Sequence, residues 1–186
     1  MRKILSLAVV FMIALAARAT APDFAFPKKV EQTAKTTLKK ALKNNDYPEA
    51  TRALMNIVLA QSEVDNNTLN GSVSLLETTY GETQDSVFKG MLMLLEAQIL
   101  KDVYVRKRYF YDQRNLPLNP YPEDIFEYSG DQFKTRICSL LDSLQQYYPA
   151  LETTSIERWS SVVDYSQDSC RYIPLWLSSQ SAGLLK

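Results

Sequence analysis

Acidic side chains are the only residues in this sequence from which a hydrolytic or metal-dependent site could be assembled. The chain contains no histidine and only two cysteines. This composition excludes Ser-His-Asp and Cys-His catalysis, and it excludes zinc sites built on histidine or on four cysteines. Glu123, Asp124 and Glu127 could hold calcium or act as an acid and a base, but they lack EF-hand spacing and are expected to be solvated. We therefore expect no enzymatic activity, no metal and no cofactor.

A basic and aromatic segment, residues 101–115, is the main candidate for a binding site. Its sequence is KDVYVRKRYFYDQRN. The candidate contact residues are Arg106, Lys107, Arg108, Tyr111 and Arg114.

Two interpretations of this segment stay open. In the first, its cations complement the negative end of a helix dipole and its aromatics hold the following loop to the core. Arg108 and Arg114 would then pair with one of four acidic residues, Asp112, Glu123, Asp124 or Glu127. In the second, the segment contacts an anionic glycan, a phospholipid or a partner protein. Nucleic acid is not an expected partner, because the exported chain would carry a net negative charge.

The first 19 residues have the layout of a secretory signal peptide. A basic start precedes an apolar run, residues 4–17, and an Ala-x-Ala site ends at Ala19. The run is shorter than the roughly 20 residues that a membrane span needs, and no transmembrane segment is expected elsewhere. We expect export to the periplasm or cell envelope. Cleavage would leave 18 basic against 21 acidic residues, since three basic residues precede the site.

The two cysteines, Cys138 and Cys170, would meet an oxidising compartment after export. One interpretation is a disulfide that closes a loop of roughly thirty residues, which would stabilise the fold by about 3 kcal/mol. The alternative is two free buried thiols that pack as small apolar side chains.

The apolar residues recur at helical spacing, and glycine is scarce, with five in 186 residues. The pattern predicts an all-α fold with a single helical domain over residues 20–186 and a proline-rich loop at 115–129. Five to seven helices are expected in antiparallel pairs, as a tetratricopeptide-like or irregular helical array, because consecutive pairs begin roughly 40 residues apart. The predicted helices begin near residues 28, 47, 67 and 83, followed by one at about 131–148, a weaker one at about 156–164 and a last one after Pro174.

Local signals refine these elements. Asp46 followed by Glu49 predicts a capping box for the second helix, and Gly81 predicts the end of the third. The fourth helix is apolar on more than one side, which predicts a central position. The lysine-rich face of the first helix is interpreted as a solvated surface, with an anionic membrane as the alternative contact.

Three stretches carry a resemblance to a known family: PDFAFPKKVEQTAKTTLKKALKNNDYPEATRALMNIVLAQSEV, RYFYDQRN and YIPLWLSSQSAGLLK. Together they resemble the N-terminal helical leader of alpha-2-macroglobulin-like proteins of Bacteroidetes. The resemblance implies an exported, non-catalytic scaffold or protein-interaction domain of a protease-defence protein, with downstream domains or another protein as its partner. The working parts of that family are missing here, because neither cysteine begins a C-x-E-Q thioester motif. The alternative is a stand-alone cell-envelope module that binds a protein, glycan or lipid.

Overall fold

The fold is entirely helical in the residues that the computed structural model describes, which are 26–64, 68–114, 122–148 and 154–162. These ranges contain six α-helices, two short 3-10 helices and no β-strand. The predicted all-α class and helix number are therefore confirmed. The α-helices are α1 Pro27–Lys43, α2 Tyr47–Val64, α3 Leu69–Glu82, α4 Ser86–Arg106, α5 Arg108–Asp112 and α6 Gly130–Gln145, and the 3-10 helices are Ile125–Glu127 and Ile156–Trp159.

The chain divides into two compact units. The described part of the first unit is residues 26–64 and 154–162, and that of the second is residues 68–114 and 122–148. The predicted signal peptide, the first part of the proline-rich loop and the helix expected after Pro174 lie outside the described residues. One domain over residues 20–186 stays a prediction.

In the first unit, α1 and α2 are joined by a tight connection that ends one helix and begins the next. Asn45 has a positive φ of 54°, which asparagine tolerates better than most residues. Its N–H donates to the Leu42 carbonyl at 3.2 Å, and the Asp46 N–H donates to the Ala41 carbonyl at 2.9 Å. This is the hydrogen-bond pattern of a Schellman motif. The Asp46 carboxylate then accepts from the Glu49 N–H at 3.3 Å, so the predicted N-cap of α2 is confirmed.

The second hydrogen bond of the predicted capping box, from the Asp46 N–H to the Glu49 carboxylate, is not formed, because that N–H donates to the Ala41 carbonyl. The Glu49 carboxylate instead accepts two hydrogen bonds from Arg52, from Nε at 2.8 Å and Nη2 at 2.6 Å. The two helices pack through the small apolar side of α1, and a hydrogen bond from Gln61 to Glu31 at 2.9 Å links their polar edges. The buried residues of α1 are Ala34, Leu38 and Ala41.

In the second unit, α4 is the central helix and packs against both α3 and α6. The Asp85 carboxylate caps it by accepting from the Phe88 N–H at 2.8 Å. Of its 21 residues, 15 are buried, so the predicted central position is confirmed. Helix α3 ends at Glu82, and Gly81 lies within it without a positive φ, so the predicted glycine stop is wrong by one residue.

Helix α6 begins with a full capping box. The Ser129 hydroxyl accepts from the Gln132 N–H at 3.3 Å, and the Gln132 side chain accepts from the Ser129 N–H at 2.9 Å. Gly130 follows at the first helical position, where it lies against Asp112. A Cβ atom at Gly130 would clash with the Asp112 side chain, so glycine allows α5 and α6 to approach closely here.

Candidate interaction surface

The basic segment is divided by a helix break at Lys107. Helix α4 ends at Arg106, Lys107 has a non-helical conformation, and α5 begins at Arg108. The Lys107 N–H donates to the Tyr104 carbonyl at 3.2 Å, and the Lys107 carbonyl accepts from the Phe110 N–H at 2.9 Å. The break lets the short helix α5 pack against α6.

The aromatic residues beside the break form a buried cluster around Phe133 of α6. The Phe133 ring centroid lies 4.8 Å from that of Tyr111, 5.3 Å from that of Tyr128 and 5.7 Å from that of Tyr104. Phe133 and Tyr111 are 0 % and 2 % exposed. Each such ring pair adds about 0.5–1.5 kcal/mol beyond simple burial. Tyr111 therefore belongs to the core, and its side chain is not at the surface where a partner would bind.

The Asp112 carboxylate contacts three side chains, one hydroxyl and two cations. Its carboxylate accepts from the Tyr104 hydroxyl at 2.8 Å and contacts Arg108 Nε at 3.4 Å and Lys134 Nζ at 3.5 Å. The Tyr104 hydrogen bond, helped by the two cations, holds the pKa of Asp112 below its usual value. The predicted ion pair between Arg108 and Asp112 is present.

Arg114 fastens the end of the proline-rich loop, but through main-chain carbonyls. Its Nη1 donates to the Phe126 carbonyl and, at 3.4 Å, to the Tyr128 carbonyl. Its guanidinium lies 4.4 Å from the Phe110 ring centroid and 5.4 Å from that of Tyr111. The sequence predicts a loop carboxylate as the partner of Arg114, whereas the observed partners are these two carbonyls.

Six consecutive residues at the break remain exposed, and we call residues 105–110 the exposed knuckle. Its apolar side chains are Val105, Tyr109 and Phe110, which are 57 %, 81 % and 52 % exposed. Its cationic side chains are Arg106, Lys107 and Arg108, all exposed. The structure thus brings together three of the five predicted contact residues and adds Tyr109 and Phe110, which the sequence analysis did not single out. Tyr111 and Arg114 lie beneath the knuckle as its support.

A second polar cluster, which the sequence did not reveal, joins α3, α4 and α6. Arg136 donates to the Glu96 carboxylate from Nε at 3.0 Å and from Nη2 at 2.8 Å, and Nη2 also contacts Glu77 at 2.8 Å. Burial raises the pKa of Glu96, which is 5 % exposed, and Arg136 opposes that rise. These residues line a cleft of about 360 Å³. Because the two carboxylates share one guanidinium, the cluster is best explained as a link between helices.

A tyrosine pair lies in the same unit. The Tyr80 and Tyr147 hydroxyls are 2.8 Å apart, and Tyr80 also lines the cleft. This hydrogen bond, together with burial, raises the pKa of Tyr80 to about 12. Tyr80 is therefore neutral near pH 7 and unsuited to act as a general base there.

The other predicted sites are only partly described. Cys138 is exposed on α6, and Cys170 lies outside the described residues, so their disulfide stays a prediction.

In the acidic loop, Asp124 caps a 3-10 helix by accepting from the Phe126 N–H at 2.9 Å. Within the described ranges, no three His, Cys, Asp or Glu residues are grouped so that they could hold a metal ion. None of the helices in those ranges combines the length and apolar character needed to cross a bilayer.

Comparison of this chain with protein-family models, with curated proteins and with solved structures finds no match. The resemblance to alpha-2-macroglobulin-like proteins therefore stays a prediction from the sequence.

Proposed function

We propose that this chain is a non-catalytic helical interaction module of an exported protein, and that the exposed knuckle is its contact surface for an acidic protein partner. The observation that carries the proposal is the exposure of six consecutive residues, 105–110, which combine three cations with Tyr109 and Phe110. Arginine and tyrosine are among the residues that contribute most to binding energy at protein interfaces.

The support beneath the knuckle favours binding. Tyr111 is held against Phe133, and Arg114 is held by two carbonyls directly below Phe110. A surface that is already fixed loses less conformational entropy when a partner binds, and this entropy loss is a main cost of association. The knuckle should therefore lose less conformational entropy on binding than a flexible, solvated basic loop would.

The charge of the knuckle favours an acidic partner. Arg106, Lys107 and Arg108 are adjacent in sequence, and complementary potentials raise association rates and exclude wrong partners. Tyr109 and Phe110 would supply the apolar contact that charges alone do not provide. The resemblance to macroglobulin leaders agrees with this proposal, since such a leader would contact downstream domains or another protein.

The proposal is tested by placing a photo-crosslinking amino acid at position 109 in the full chain and expressing it in its native host. We expect one discrete protein adduct from the cell-envelope fraction. The adducted partner is then purified, and its affinity for Tyr109→Ala is measured. A loss of about tenfold or more is expected for a central aromatic contact.

Gln113→Ala is the matched control, because Gln113 is exposed and adjacent to the knuckle but outside it. It should change the affinity by less than about twofold. Failure to obtain an adduct, or an equal loss for Tyr109→Ala and Gln113→Ala, would contradict the proposal. Circular dichroism of both variants checks that the helices are retained.

A further inference from the structure

Helix α1 carries a concentrated positive face. Six of its 17 residues are lysines, all exposed, and Glu31 is its single acidic residue. The lysines are Lys28, Lys29, Lys35, Lys39, Lys40 and Lys43. We call these six residues the lysine face.

The lysines share one side of the helix. With 3.6 residues per turn, they fall within an arc of roughly 140°, and the buried residues Ala34, Leu38 and Ala41 lie on the opposite side. The helix is about 25 Å long at 1.5 Å per residue, so the six charges are spread along most of that length on one convex side. The apolar side of α1 is occupied by α2.

The charge of this face is hardly neutralised within the described residues. Lys35 forms the one ion pair found there for these six side chains, with Glu31 at 2.6 Å. Glu31 also accepts a hydrogen bond from Gln61 at 2.9 Å, and the Lys35 contact lowers the pKa of Glu31. For the other five ammonium groups no ion pair with a described residue is found, although the charge of Lys28 also lowers the pKa of Glu31.

A groove of mixed polarity lies beside the lysine face. It has a volume of about 560 Å³, and its lining combines the apolar residues Phe26, Val30, Ala34 and Ala53 with polar and charged ones, Lys29, Thr33, Thr37, Glu49, Arg52 and Asn56. The Phe26 side chain is 67 % exposed. Phe26 therefore adds one exposed apolar side chain beside the row of cations, and this combination is typical of helices that bind the interface of an anionic bilayer.

We propose that the lysine face docks the first unit onto the surface of an anionic phospholipid bilayer. A convex row of charges fits a flat surface whose mobile headgroups can supply one phosphate to each lysine. Every basic residue of α1 is a lysine, a flexible point charge, whereas shape-specific recognition of a carboxylate or phosphate favours the planar guanidinium of arginine. This favours a bilayer over a folded acidic protein. The inference does not depend on the function proposed for the knuckle.

Vesicle binding tests the inference. The chain from Thr20 onward is used, because the predicted signal peptide carries an apolar run, residues 4–17, that would add its own affinity for lipid. Sedimentation with phosphatidylcholine vesicles is compared with and without phosphatidylglycerol. We expect binding only to the anionic vesicles, and weaker binding as ionic strength rises toward the physiological value, where the Debye length is about 8 Å.

Two matched variants locate the site. The triple variant Lys29→Gln, Lys39→Gln and Lys40→Gln should reduce the partition coefficient at least about tenfold, because each lysine near an anionic surface contributes about fivefold. The triple variant with arginine at the same three positions keeps the charge and should bind within about twofold of the parent chain. Glutamine and arginine both favour helix, so α1 should persist in each variant.

Three outcomes would overturn the inference. One is equal binding to neutral and anionic vesicles. Another is an equal loss of binding in the glutamine and arginine variants, because charge would then not be the cause. The third is competition by poly-glutamate as effective as that by anionic vesicles, which would make the lysine face a site for acidic protein.

Discussion

Helices α1 and α4 illustrate two ways in which a helix of this protein uses its charges. In α1, three of 17 residues are buried on one side, and the lysines occupy the other. In α4, 15 of 21 residues are buried, including Glu96 and Gln98. A charge on α1 stays hydrated and is available to an external partner. A buried charge on α4, such as that of Glu96, loses its hydration and must be paired within the protein or become neutral.

The core of α4 should show the largest response to mutation. Phe88 is 0 % exposed, and Phe88→Ala removes its packing and leaves a cavity. We expect a loss of about 3–5 kcal/mol in the free energy of unfolding, measured by urea titration with circular dichroism. Lys39→Ala on α1 is the control and should change it by less than about 0.5 kcal/mol. Similar losses in both variants would remove the distinction between the two helices.

The buried ion pair should show the next largest effect. Arg136→Met leaves Glu96 buried without its cation. This should lower the free energy of unfolding by about 3 kcal/mol at pH 8. The cost should shrink near pH 5. Burial already places the pKa of Glu96 above its ordinary value of 4.5, and losing Arg136 raises it further, so the folded protein takes up a proton as the pH falls.

The double variant Glu96→Gln, Arg136→Met tests the cause of this effect. Because the uncompensated charge is gone, it should recover much of the lost stability and lose the added pH dependence. A single variant whose loss does not change with pH would show that Arg136 contributes by packing rather than by charge.

Asp102 should give a smaller effect, with the same direction of pH dependence: the folded protein is more stable at low pH. Burial raises its pKa from 3.8 to about 6, although a hydrogen bond from Gln98 at 2.9 Å and the nearby Arg106 and Lys101 oppose the rise. Because the pKa of Asp102 is raised in the folded protein, its contribution to the free energy of unfolding is largest below pH 3.8. That contribution is lost as the pH rises through about 6. This group should contribute a decrease of about 1–3 kcal/mol between pH 4 and pH 7.

Asp102→Asn should remove that contribution and be more stable than the parent chain at pH 7. The measurement is urea unfolding at several pH values in parallel. Unchanged curves for the parent and the variant would show that Asp102 is hydrated in the folded protein.

The smallest effect is expected at a glycine. Gly81 lies in α3 without a positive φ, and a Cβ atom there would meet nothing within 4 Å. Gly81→Ala should therefore raise the free energy of unfolding by about 0.5–1 kcal/mol, by reducing the entropy of the unfolded chain. Gly130→Ala is the contrasting variant and should destabilise, because its Cβ would clash with Asp112. Thermal unfolding of both variants decides the matter, and a shared sign would contradict this account.

The candidate site was only partly predictable from sequence. Arg106, Lys107 and Arg108 were recognised as candidates, and the structure exposes them together. Tyr109 and Tyr111 lie two residues apart on α5 and so point to opposite sides of that helix, but the packing of Tyr111 against Phe133 of α6 decides which of them is buried.

The sequence by itself determined the helical class, the position of most helices and the cap at Asp46. These features depend on residues within one or two turns of each other, so the local pattern is sufficient. The tertiary structure alone decided that Arg136 pairs with Glu96 and that Arg114 binds the loop carbonyls. Such contacts join residues far apart in sequence, and their partners are selected by burial and close packing, which no local pattern records.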